Sequence, residues 1–175
     1  GNVCNASPAA DGLPVLLALD ARVELCSAKG VAIVTLEDFI LGNRRTRRAS
    51  DQLVTALIVP KPAGRSAGHF IKLGARKYLV ISIVMAAATI EFDDANRVAR
   101  ARIAVGACSP VAMRLPALEA ALTGMTADED LGRVVAPEHL SALAPIDDVR
   151  GSADYRRDTA LTVLRRLLGE LGASA

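Results

Sequence analysis

Tryptophan is absent, and aromatic residues make up only 3% of the 175-residue chain. That removes the stacking platforms on which single-stranded nucleic acids are held. Charge of one sign is equally scarce: 21 Lys plus Arg against 19 Asp plus Glu leave a net charge of +2. With no run of five basic residues, nothing resembles a phosphate-neutralising surface, and nucleic acid is not an expected partner. The three cysteines, Cys4, Cys26 and Cys108, form an odd set without CxxC spacing, which excludes a disulfide framework and a zinc ribbon and points to a reducing, cytoplasmic setting. The longest apolar run, Leu79 to Ile90, is broken by Ser82 and Thr89 and falls short of the roughly 20 residues of a membrane span. His69 and His139 stand alone without HxxxH or HExxH spacing, so no metal site is expected and each is read as a surface or half-buried residue. There is no GxSxG elbow, Walker loop or GxGxxG. The N-terminus has no charged segment followed by an apolar one, hence no signal peptide, and no initiator Met, so the sequence is expected to be cut from within something longer.

What is present is a core: 51% of the residues are hydrophobic, mostly Ala, Leu, Val and Ile, enough for one or two globular domains. LPVLLAL, with Pro14 in its first turn, predicts a short buried helix over 13–19. Arg22 to Cys26 and Val31 to Leu36 predict two strands of a hairpin turning through Ser27 to Gly30. LEDFILG predicts a helical turn capped by Thr35 and closed by Gly42. LVTALIVP predicts a buried strand, and the Pro/Gly/Ser-rich stretch Pro60 to Gly68 a boundary near residue 63. Beyond it, His69 to Arg76, Leu79 to Phe92 and Val98 to Cys108 read as an antiparallel meander with one buried face. Helices are expected over 115–122, 128–135 and 153–171. In the last, Leu161, Leu164, Leu168 and Leu171 form the apolar stripe, with Arg156, Arg157, Arg165 and Arg166 largely off it. Sheet and helices in separate blocks mean an α+β fold.

Few residues suggest chemistry. Cys108 lacks a neighbouring base and reads as a small buried hydrophobe. Asp93/Asp94 and Asp147/Asp148 are adjacent pairs suited to turns and caps. Arg44, Arg45, Arg47 and Arg48 suit either a partner's acidic face or a solvated loop. The segment Asn5 to Asp11, NASPAAD, joins small residues that let a ligand approach the backbone with short hydrogen-bonding side chains before a helix, which suits an anion such as a pyrophosphate. A loop that merely caps the helix would have the same composition.

GNVCNASPAAD, PVLLALDARVEL, LEDFILGNRRT, VPKP, FIKLGARKYLVISIV, RARIAVGACSPVAMR and DVRGSADYRR, in this order, resemble the flavin-binding (medium) subunit of the molybdenum hydroxylases, the group of xanthine dehydrogenase and carbon monoxide dehydrogenase. The resemblance implies the back part of a vanillyl-alcohol-oxidase-like FAD-binding domain over residues 1–62. It is followed over 63–175 by a C-terminal domain of a three-stranded antiparallel sheet and a helical bundle. It implies FAD as cofactor, with Gly1 and Asn2 as the tail of a glycine-rich pyrophosphate loop, Ser7, Pro8 and Asp11 lining the flavin cleft, Val54 offering backbone contact, and Lys72 approaching the ring. Tyr78 is a further candidate for covering the ring, although a core or strand-edge tyrosine is the simpler expectation. The first glycine-rich loop would then lie upstream of Gly1. The implied role is electron transfer from iron–sulfur clusters through FAD to an external acceptor. The implied partners are a molybdopterin-binding large subunit and an iron–sulfur small subunit in a hetero-oligomer. The three cysteines here are too few for a two-iron cluster. The alternative is a docking module without flavin, contacting other subunits through NRRTRR and the arginines of the last helix.

Overall fold

The computed structural model describes residues 1–174. A one-turn helix α1 (Asn2–Asn5) and a left-handed Ala6 (φ 45°) lead into the loop that ends at helix α2 (Gly12–Ala18). Hairpin strands β1 (Arg22–Ser27) and β2 (Gly30–Thr35) follow as expected. Thr35 caps helix α3 (Leu36–Phe39), its hydroxyl oxygen accepting from the Asp38 N–H at 3.1 Å. That helix ends two residues sooner than the sequence suggests: Ile40 is already extended, and Gly42 closes the short strand β3 (Ile40–Gly42) rather than the helix. β3 pairs with β4 (Arg45–Thr46). Strand β5 (Leu53–Ile58) joins β1 antiparallel, giving the order β2-β1-β5. The expected burial of this strand is overturned. β5 is an edge strand: Leu53 and Ile58, opposite Cys26 and Arg22, are exposed because nothing covers the outer face of that sheet, and Leu57, opposite Val23, is exposed at the open groove beside the N-terminus.

The second sheet is the meander β6 (Ser66–Leu73), β7 (Val84–Phe92) and β8 (Val98–Gly106), extended by a two-residue strand β9 (Met113–Arg114). β7 starts at Val84 and not at Leu79, since Leu79 is left-handed (φ 49°) and the chain from Gly74 to Ser82 forms an irregular loop. One buried face was expected for this sheet; its central strands are buried on both. Helix α4 (Pro116–Leu122), 3₁₀ turns over Glu129–Val134 and Pro137–Leu140, and the long helix α5 (Ala153–Ala173) cover one face. The other face of β7 and β8 carries α2. The close approach of α2 depends on Gly106, where a Cβ would stand 2.8 Å from the Pro14 ring.

Two cores result. The larger joins Val84, Ile90, Ile103, Leu118, Leu131, Leu164 and Leu168 between the second sheet and its helices. The smaller gathers Leu13, Leu17, Val23, Leu25, Leu36 and Phe39 around α2 and reaches Ala104 on β8. Each fully buried Leu, Ile or Phe contributes about 1.5–3 kcal/mol of transfer free energy. The arginines of α5 divide differently from expectation: Arg156 is buried to 3% exposure, because it stands four residues before Ala160 and eight before Leu164, on the inward row.

Candidate functional site

The loop from Ser7 to Asp11 is held tightly. Ser7 Oγ accepts from the Ala9 N–H at 3.3 Å, and the Ser7 carbonyl accepts from the Ala10 N–H at 2.9 Å. The Pro8 carbonyl accepts from the N–H of Ala107, a residue forced into the left-handed region (φ 64°) at the end of β8. Asp11 occupies the N-cap position of α2 yet makes no side-chain cap. Its carboxylate points instead to the second sheet: Oδ2 takes a hydrogen bond from Lys72 Nζ at 2.5 Å and Oδ1 one from Ser82 Oγ at 2.8 Å. Lys72 is on β6, the edge of the meander, and Ser82 is fully buried just ahead of β7. One carboxylate thus ties the small-residue loop to two segments of the larger sheet.

A cleft of about 420 Å³ opens beside this contact, lined by Ser7, Pro8, Ile81, Ser82, Pro110, Ile146, Arg150 and Arg156 among others. Its back wall is braced by Arg156. One guanidinium nitrogen donates to the carbonyls of Ile83 (2.6 Å) and Ala107 (3.1 Å), the other to Asp148 Oδ1 at 2.7 Å. Arg156 Nε is buried without a partner among the described residues. The Arg150 backbone N–H, at 2.7 Å, holds the Asp148 carboxyl below the usual carboxylate range, with the Arg156 guanidinium adding to the effect and partial desolvation opposing it. Cys108, behind the cleft, has its thiol pushed up to about 11 by burial, against the opposing charge of Arg156, and is no nucleophile.

A second, more open groove of about 530 Å³ is lined by Gly1, Asn2, Val3, Cys4, Gly12, Leu16 and the β5 stretch 54–57. The candidates therefore divide. Gly1, Asn2 and Val54 share this groove, Ser7 and Pro8 line the first cleft, and Asp11 and Lys72 form the ion pair by Ser82. Tyr78 is 70% exposed on the irregular loop, neither core nor strand edge. A flavin nucleotide suits this set on its chemistry. A Cβ on Gly12 would meet Asn2 Oδ1 at 3.0 Å, so glycine lets that amide lie against the loop, and a Cβ on Gly1 meets nothing within 4 Å. Asn2, Val3 and Cys4 of α1 line the groove, with the Asn2 side chain as its polar group there. The first cleft offers a mainly apolar lining with Ser82 in its wall, and Ser82 leads through its hydrogen bond to Asp11 and Lys72, which suits a flat ring with a polar rim.

Several other titratable residues take part in structural contacts. His69 Nε2 meets Glu170 Oε2 at 2.7 Å, His139 Nδ1 accepts from the Ala136 N–H, and both rings are half-buried. Asp93 accepts from the N–H groups of Ala95 and Arg97 in a turn, and Asp147 from the Ala153 N–H. Among the described residues no His/Cys/Asp/Glu group could hold a metal, and no helix is long and apolar enough to cross a membrane. Sequence reasoning passed over Ser82, Asp148 and Arg156 as parts of one site. The i, i+4, i+8 spacing of Arg156 to Ala160 and Leu164 was the available signal for the last.

Residues 69–171 match the family model described as the CO dehydrogenase flavoprotein C-terminal domain, and residues 1–62 the FAD binding domain in molybdopterin dehydrogenase. The nicotine 6-hydroxylase medium subunit of Paenarthrobacter nicotinovorans is 28% identical over 99% of this chain and 60% of its own length. A putative xanthine dehydrogenase FAD-binding subunit of Escherichia coli (strain K12) is 27% identical over 100% of this chain and 60% of its own. Among solved structures, the reconstituted CO dehydrogenase from Oligotropha carboxidovorans superposes with a TM-score of 0.90 at 26% identity, again over 100% of this chain and 60% of that one. The chain thus spans about 60% of the length of the relatives it matches. With one family model covering more than half of its residues and a second the stretch before it, the chain belongs to the FAD-binding, medium-subunit family of the molybdenum hydroxylases.

Proposed function

We propose that this chain holds FAD for electron transfer from iron–sulfur clusters to an external acceptor, as part of the flavin subunit of a molybdenum hydroxylase. Bound FAD supplies the redox chemistry, which none of the chain's own side chains provides. Residues 1–62 belong to the flavin domain and 63–175 to the C-terminal domain, with the cleft between them. Gly1, Asn2 and Val54 contact the nucleotide side through the open groove, and Ser7, Pro8, Asp11 and Lys72 the ring side. The partners in this reading are a molybdopterin-binding large subunit and an iron–sulfur small subunit, and the setting is cytoplasmic.

The observation that carries the reading is the Lys72–Asp11–Ser82 contact. It joins a cation and a carboxylate by hydrogen bonds to Ser82, which lines an apolar cleft formed by residues of both family-matched regions. In this reading Lys72 would donate toward a ring oxygen or nitrogen, and Asp11 fixes where its ammonium points. The test is a titration of the chain with FAD, followed by flavin fluorescence. Saturable binding weakened about tenfold by Lys72→Ala and by Asp11→Ala, about 1.4 kcal/mol each, supports the reading. Binding indifferent to both substitutions, or no binding, contradicts it.

A docking role is favoured by a separate observation: Leu79 at 92% and Val149 at 97% exposure stand out from the surface near the cleft mouth with Tyr78 and Ile146. Such residues suit burial against another subunit.

A further inference from the structure

Helix α2 is anchored at both ends, and the two anchors differ in kind. At its start, Asp11 binds Lys72 and Ser82. Two residues past its end, Asp20 carries a carboxylate only 26% exposed that meets three arginines of the second sheet: Arg114 at 2.6 Å on one oxygen, Arg100 at 2.7 Å and Arg102 at 3.5 Å on the other. Arg102 Nε also donates to the Ala18 carbonyl at 3.0 Å, catching the helix's own last turn. These arginines are fixed in turn, Arg102 by Glu91 at 2.6 Å and Arg114 by two bonds to Glu119, which also accepts from the Ile103 N–H. Asp20 sits in the left-handed region at φ 51°, a conformation Asp tolerates better than most residues and one that aims its carboxylate back at the sheet. Between the anchors, Pro14 packs on Gly106 with no room for a Cβ. A seven-residue helix is about 10 Å long and has no soft joint.

We propose that Asp20 is a positioning residue for the Lys72–Asp11 pair, acting through α2 as a rigid strut between the triple-arginine clamp and Asp11. The consequence for flavin rests on the function proposed above; the mechanical coupling does not. Asp11 occupies the N-cap position of α2 and Asp20 lies two residues beyond its end, where Arg102 also grips the Ala18 carbonyl of the last turn, so the clamp holds the same short helix that carries Asp11. Here the register of α2 on β7 and β8 is set at Asp20 and delivered, one helix length away, as the position of Asp11 relative to Lys72.

The experiment uses the full chain with Asp20→Asn, which keeps the left-handed backbone and removes the charge, Lys72→Met, and the double variant. Arg100→Met, which removes one exposed arm of the clamp, is the milder companion should Asp20→Asn fail to fold. Leu171→Ala in α5 serves as a destabilised control away from the strut. The first readout needs no flavin: the rate at which the Lys72 amine reacts with an acylating reagent, read by peptide mass spectrometry. Asp20→Asn is expected to raise it threefold or more, Arg100→Met less, and Leu171→Ala to leave it within about twofold. The second is a double-mutant cycle on FAD affinity, in which Asp20→Asn and Lys72→Met are expected to fall short of multiplicative by about fivefold, where independent sites would multiply to within about twofold. An unchanged Lys72 rate in both clamp variants, or a multiplicative cycle, overturns the strut. Absence of FAD binding by the unsubstituted chain overturns the proposed function and leaves the amine rate to decide the strut.

Discussion

The two larger sheets of this protein are built from similar apolar, β-branched sequence and end in opposite situations. β7 and β8 lie between α5 on one face and α2 on the other, and nearly every residue of β7 is buried. β2 and β5 flank β1 with only its inner residues, Val23 and Leu25, fully covered, and the outer face leaves Val31, Ile33, Leu53 and Ile58 exposed. A strand's own sequence does not settle its burial; the elements that return to it from elsewhere in the chain do. The larger sheet brings its own cover, from residues 116–173, and is a complete core. The smaller one is steadied by α2, whose far side rests on the larger sheet. The candidate site lies where these unequal halves meet.

The sharpest way to break the comparison is to open the larger core. Leu164→Ala is expected to lower stability by about 3 kcal/mol, read as the urea midpoint by circular dichroism, since a fully buried Leu leaves a cavity that the surrounding sheet cannot close. Next comes Gly132→Ala. A Cβ there would stand 2.1 Å from the Arg165 carbonyl oxygen, so the 3₁₀ turn must separate from α5, at a cost of about 2 kcal/mol by the same measurement.

Asp148→Asn tests the loop that braces the cleft. The folded carboxyl is held below its ordinary value, so its stabilisation is fully present above about pH 4 and is lost as pH falls through the lowered folded value. The variant is expected to show a shallower decline in urea midpoint between neutral pH and about pH 3 than the unsubstituted chain. The smallest effect belongs to the open sheet: Ile33→Thr, on its exposed face, is expected to change the stability read from the urea midpoint by less than about 0.5 kcal/mol.

Much of the architecture was legible because local signals agreed with it. Pro14 at the start of an apolar run, the Ser27 to Gly30 turn and the cap at Thr35 each work within a few residues of themselves. What failed depended on distant chain. VARARIAVG reads as half-solvated, yet Arg102 is buried because Glu91, Asp20 and the Ala18 carbonyl meet it there. LVTALIVP reads as core, yet only Val54 packs against the smaller core and nothing returns to cover the strand's outer face. Leu79 to Ile83 reads as strand, although Arg76 bonds the Leu79 carbonyl and holds Leu79 left-handed. For the site, the resemblance supplied seven residues that no spacing rule connects. The structure divides them between two grooves and one ion pair and adds Ser82, Asp148 and Arg156, whose parts depend on backbone carbonyls and on partners far along the chain.

The most direct measurement is to map where FAD meets the chain, by the amide shifts it causes in a 15N-labelled sample. Shifts concentrated at Ser7 to Asp11, Lys72 and Ser82, with a second group at Gly12 and Val54, are the predicted result. Shifts confined to α4 and α5, or none at saturating FAD, would contradict the assignment of the cleft between the two sheets as the flavin site.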